Sequence, residues 1–102
     1  MYYDFHAKPI TYEDWSQLFS NTDARRVGMN WVGSSQYWIS TVWLGTDHGF
    51  GQGRPLIYET MVFHGDDDIY IDRYSTWDEA EAGHIKALVW TLKKSNDSYV
   101  KD

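Results

Sequence analysis

The chain contains no cysteine among its 102 residues, which removes disulfides, thiolate zinc sites, iron–sulfur clusters and cysteine nucleophiles together. It also lacks any run near the roughly 20 apolar residues that a membrane span needs. The opening Met1-Tyr2-Tyr3-Asp4-Phe5-His6 has neither the basic start nor the apolar stretch of a secretory signal, so a cytoplasmic protein is the expectation. Basic residues are in deficit. Nine Lys and Arg against 15 Asp and Glu leave a net charge of −6, which argues against binding a phosphate backbone. What is present is apolar and aromatic: 42% hydrophobic and 18% aromatic residues supply the core of one domain without covalent or metal staples.

Local signals divide the chain into six elements. Thr11 reads as an N-cap, Glu13 and Asp14 fall in the first turn, and Trp15, Leu18 and Phe19 share a face, predicting a short amphipathic helix that ends at the turn-forming residues 20 to 23. Residues 25 to 32 alternate, with Val27, Met29 and Trp31 on one side, and Gly33-Ser34-Ser35 reads as a turn. Residues 37 to 44, rich in aromatic and β-branched side chains, form the strongest strand signal. Further strands are expected over 56 to 63 and 68 to 74, joined by a turn at 64 to 67. Thr76-x-x-Glu79 is a capping box that opens a helix over about 77 to 94. Acid in its first turns and Lys93 and Lys94 in its last suit the helix dipole, and its buried stripe is expected to be Trp77, Ala80, His84, Ile85, Leu88 and Leu92. Residues 95 to 102 read as a polar, frayed tail.

Short connections favour an antiparallel meander, since parallel neighbours need long crossovers. The predicted architecture is therefore α+β, in the order α-β-β-β-β-α, a single domain over residues 1 to 94 with both helices on the sheet. The strand over 56 to 63 sets Leu56, Tyr58, Thr60 and Val62 against Ile57, Glu59, Met61 and Phe63, so neither face reads as solvated. Two helices cover one face only. The second is expected to bury against a partner, with self-association through the sheet as the leading expectation.

The candidate site residues lie in and around the glycine-rich stretch 45 to 54. Glycines let backbone approach a ligand, and Asp47, His48, Phe50 and Arg54 belong to this stretch. It lacks the Gly-Lys-Ser/Thr and the strand-to-helix context of nucleotide loops. Glu59 alternates with apolar neighbours and calls for a partner such as Arg54, Arg73 or His84. His48, His64 and His84 with Asp47 and Glu59 contain the residue types of a metal or acid–base cluster, but no ligand pair stands at a recognised spacing. No metal or other cofactor is expected. Asp66-Asp67-Asp68 lacks the alternating ligands of a calcium loop and reads as a solvated turn.

Ser40-Thr41-Val42-Trp43-Leu44-Gly45, Asp47-His48, Phe50-Gly51 and the run Pro55 to Phe63 carry a resemblance. With Pro9-Ile10-Thr11, Trp15, Tyr74-Ser75-Thr76, Glu79-Ala80 and Ala82-Gly83-His84, the chain resembles, over most of its length, a family of small proteins of actinobacteria and their phages to which no activity is assigned. The resemblance implies origin and no catalytic residue: a phage or prophage accessory protein made in the cytoplasm of a bacterial host. With the absence of a catalytic constellation, it leads to the expectation of a non-enzymatic protein that binds a host or phage partner. The alternative is a small-molecule or nucleotide-binding protein with its site at the loop from Gly45 to Arg54, and in its enzyme form a site at Asp47, His48, Glu59 and His84.

Overall fold

The structure, a computed structural model, describes residues 1–33, 36–49 and 53–100, the side chains of 97–100 excepted. A four-stranded antiparallel meander forms its centre, from β3 (Arg26–Val32), β4 (Tyr37–Trp43), β5 (Tyr58–His64) and β6 (Asp67–Tyr74), paired in that order. The C-terminal helix α3 (Trp77–Val100) lies across one face of the sheet and touches all four strands. The α+β class and the meander are as the sequence predicts. A two-residue Gly65-Asp66 turn, with Gly65 at a positive φ of 64°, joins β5 to β6.

The N-terminal quarter closes one end of the sheet. Two short strands, β1 (Tyr2–Tyr3) and β2 (Pro9–Ile10), form a hairpin that the sequence reading omits. Asp4 organises its turn by accepting hydrogen bonds from the backbone N–H groups of His6 and Lys8, at 2.8 and 3.0 Å. Helix α1 (Tyr12–Phe19) begins at the expected cap, with Thr11 Oγ1 accepting from Asp14 N at 3.1 Å. The short helix α2 (Thr22–Arg25) then occupies what reads as a turn, capped by Asn21. Phe5, Trp15, Phe19 and Trp77 pack around the buried Trp43, Ile57 and Tyr58. Indole Nε1 of Trp15 donates to Leu44 O at 2.9 Å, and that of Trp43 to Asp4 O at 3.2 Å.

Four of the expected placements differ in the structure. A bulge between Arg26 and Gly28 takes Val27 off the side of Met29 and Trp31 and into the core. Ile57, ahead of the strand proper, is fully buried despite its parity with Glu59. The buried stripe of α3 is built from small residues, with Ala80, Gly83, His84, Ala87 and Thr91 toward the sheet, whereas Ile85 is 62% and Leu92 46% exposed. Bulky Trp43, Tyr58, Tyr37 and Ile39 already fill that layer from the sheet side, so only short helix side chains let the two surfaces meet. Helix α3 also runs on to Val100 past the expected end near residue 94, since residues 95 to 100 contain neither Gly nor Pro to stop it.

Candidate functional site

The structure separates the residues that the sequence groups together. Asp47 closes the mouth of the glycine-rich loop: its Oδ1 accepts from Gly49 N at 2.8 Å and from Leu56 N at 2.9 Å. His48 Nε2 lies 3.2 Å from Thr46 Oγ1, and its backbone N–H donates to Leu56 O at 3.0 Å. Phe50 lies outside the described residues. Arg54 reaches Glu79 at 2.8 Å at the start of α3. That contact, with backbone donors from Ser75 and Thr76, holds the Glu79 carboxyl below its ordinary value. Glu79 also completes the predicted capping box, its Oε1 accepting from Thr76 N while Thr76 Oγ1 accepts from Glu79 N. These residues act as fasteners of loop and helix.

Glu59 and His84 lie on opposite faces of the sheet. Glu59 stands opposite Val42 and Arg73 in the strand register and takes a hydrogen bond from Arg73 Nε at 3.1 Å. His84 belongs to the helix-covered face. No acid–base pair forms between them, and among the described residues no three of His, Asp or Glu gather as metal ligands.

His84 instead sits at the centre of a hydrogen-bond chain that crosses the sheet beneath α3. Its Nε2 is 2.7 Å from Asn30 Oδ1 on β3, and its Nδ1 is 2.7 Å from Thr41 Oγ1 on β4. Thr41 and Thr60 hydroxyls are 2.5 Å apart, and Tyr74 OH on β6 donates to Thr60 at 3.1 Å. An amide oxygen only accepts, so Nε2 carries the ring hydrogen and Nδ1 accepts from Thr41. The remaining donors then run one way, from Tyr74 through Thr60 and Thr41 to His84. Burial lowers the His84 pKa and keeps the ring neutral, while burial first and nearby Asp72 next push the Tyr74 phenol up to about 12. The chain satisfies polar groups that an apolar layer would otherwise leave costly. Close approach makes it possible: a Cβ on Gly28 would meet the His84 ring at 2.7 Å, and one on Gly83 would overlap the Tyr74 ring. Between β6 and α3 a groove of about 360 Å3 is lined by Arg54, Asp72, Tyr74, Ser75, Glu79 and Lys86, a mixture of charges partly neutralised by the Arg54–Glu79 pair.

The other face of the sheet carries a different arrangement. Strand register sets out three rows across the four strands: Arg26, Val42, Glu59, Arg73; then Met29, Ser40, Met61, Ile71; then Trp31, Trp38, Phe63, Asp68. Among the described residues no element lies over it. Trp31 is 57%, Ile71 49% and Met29 44% exposed. In the third row Trp31 and Trp38 stack at 5.7 Å and Trp38 and Phe63 at 5.3 Å, a continuous aromatic strip over three strands. A shallow cavity of about 330 Å3 opens on the strip, edged by Gln36, His64 and Gly65. The indole N–H of Trp38 is buried with no hydrogen-bond acceptor among the described residues. The other four tryptophans pack in the two core clusters.

Alternation over residues 56 to 63 signals this second face in the sequence. Its individual members are harder to read, because the bulge after Arg26 shifts parity in β3 and a second, between Val62 and Phe63, does so where β5 meets β6. No protein-family model, no curated protein and no solved structure matches the chain. Among the described residues no helix is long and apolar enough to cross a membrane.

Proposed function

We propose that this protein acts by binding and not by catalysis, as an accessory protein of phage or prophage origin in a bacterial cytoplasm, and that its binding surface is the open sheet face. The observation that carries the reading is the uncovered strip Trp31, Trp38 and Phe63 beside Met29, Met61 and Ile71. Large exposed apolar patches mark sites of association, and aromatic and methionine side chains are the types enriched there. Against a catalytic reading stand the spent candidates, with Asp47 closing a loop, Glu59 paired with Arg73, and His84 engaged at both nitrogens. The origin rests on the family resemblance.

Capture of a tagged chain from host cells that also express an untagged copy tests the reading. Molecules retained by the wild type are expected to be lost with Trp31→Asp and kept with Ile85→Lys on the outer side of α3. Equal retention by wild type and Trp31→Asp removes the sheet face as the binding surface.

A further inference from the structure

We infer that the occupant of the open face is a second copy of this chain, seated sheet to sheet about a two-fold axis, an inference that rests on the binding reading above. The first argument is charge. The chain carries −6 overall, yet the charged residues in the three rows are Arg26, Arg73, Glu59 and Asp68, two of each sign. A nucleic acid needs a cationic surface and a basic partner an acidic one. This face is neutral, and it suits a neutral face.

The second argument is size. Four strands at about 4.8 Å spacing and seven residues at about 3.3 Å rise give a plane of roughly 19 by 23 Å. That is roughly 440 Å2 of flat area per copy, about 880 Å2 for two, and the relief of tall aromatic and methionine side chains carries the buried surface past the roughly 1,000 Å2 total expected of a specific interface.

Symmetry supplies the third. Packed sheets keep their strands within about 30° of alignment, which leaves an in-plane axis either along the strands or across them. An axis along the strands sets Arg26 of one copy toward Arg73 of the other, like charge on like. An axis across the strands lays the middle row on itself and the first row over the third. Arg73 then approaches Asp68 of the other copy, and Arg26 approaches the Trp31 ring. The across-strand axis sets opposite charges together where the along-strand axis sets like charges together.

Sedimentation velocity and light scattering on the purified full chain at tens of micromolar concentration, roughly the range of an ordinary stable interface, test it. Wild type is expected at twice the chain mass of 12.0 kDa. Trp31→Asp and Met61→Asp are expected at the chain mass with an unchanged far-ultraviolet circular dichroism spectrum, and Ile85→Lys at the dimer mass. Arg73→Asp should weaken association about tenfold or more, and the reciprocal Arg73→Asp with Asp68→Arg should recover most of it; a double variant no tighter than Arg73→Asp overturns the across-strand axis. A monomeric wild type overturns the dimer; if Trp31→Asp still loses another molecule in the capture experiment, the binding reading stands. A dimer untouched by Trp31→Asp and Met61→Asp but broken by Ile85→Lys overturns both.

Discussion

His84 is the residue whose surroundings make the most definite demands. It accepts from the buried Thr41, donates to Asn30 at the more exposed end of the chain, and lies on Gly28. Its folded pKa is below the ordinary 6.5 because burial penalises the charged ring. Above that ordinary value both folded and unfolded chains hold it neutral, and the contribution of the site to stability is complete. As pH falls through 6.5 the unfolded chain takes up a proton that the folded chain resists, so stability is lost until pH passes the lowered folded value, where the loss levels off. Urea midpoints measured from about pH 7.5 down to about pH 5.5 should therefore drop more steeply for wild type than for His84→Gln. A His84→Gln slope equal to that of wild type would assign the loss to other groups. Gly28→Ala probes the same contact from below. The added methyl forces the ring aside and with it one of the two bonds, an overpacking cost of about 1–3 kcal/mol in denaturant unfolding.

At the scale of elements, α3 shows how packing can override a pattern that is complete on paper. Trp77, Ala80, His84 and Leu88 lie toward the core as their helical spacing predicts, yet Ile85 and Leu92 of the same stripe are exposed, and Ala87 and Thr91 are buried in their place. Substitutions report which stripe is inside. Ile85→Lys should change stability by no more than about 0.5 kcal/mol, whereas Ala87→Leu, opposite Ile39 and Val62 in the same cluster, should cost about 1–3 kcal/mol. Chemical denaturation of the two variants side by side checks the order, and a larger loss for Ile85→Lys would reverse the assignment. The helix start behaves differently. Thr76 and Glu79 form the reciprocal cap that their spacing predicts, because a capping box needs only three residues of separation and no tertiary contact. The caps at Thr11 and Thr76, the four main strands and their order were all legible for the same reason: each rests on neighbours in the chain. The N-terminal hairpin was not, since strands of two residues carry no periodicity and are held by Asp4 and by Phe5 packing on Trp43.

For the whole molecule the decisive property is one-sidedness. Helix α3, the N-terminal hairpin and α1 all attend to the layer of Trp43, Tyr58 and Ile39, and the reverse of the sheet is left with a strip of stacked aromatics. If a second copy covers that strip, folding and association are linked, and stability depends on protein concentration. Thermal melts followed by circular dichroism should shift upward as the chain is concentrated, by a few degrees per hundredfold for a domain of this size. Trp31→Asp should melt at one temperature at every concentration. A concentration-independent wild type would mean that the face is open in the folded, isolated protein.

The α+β class, the meander, the capped helix and the excess of apolar side chains over what one sheet face can bury are all readable from the chain alone, because they follow from turn chemistry, capping and alternation between near neighbours. Assembly of the layers sets which residues of α3 go inward, joins His84 to a chain of hydroxyls, and stands Glu59 on the reverse face beside Arg73. These outcomes turn on close packing across elements and on two bulges that change parity, and pairwise distances of that kind are set by the assembled layers.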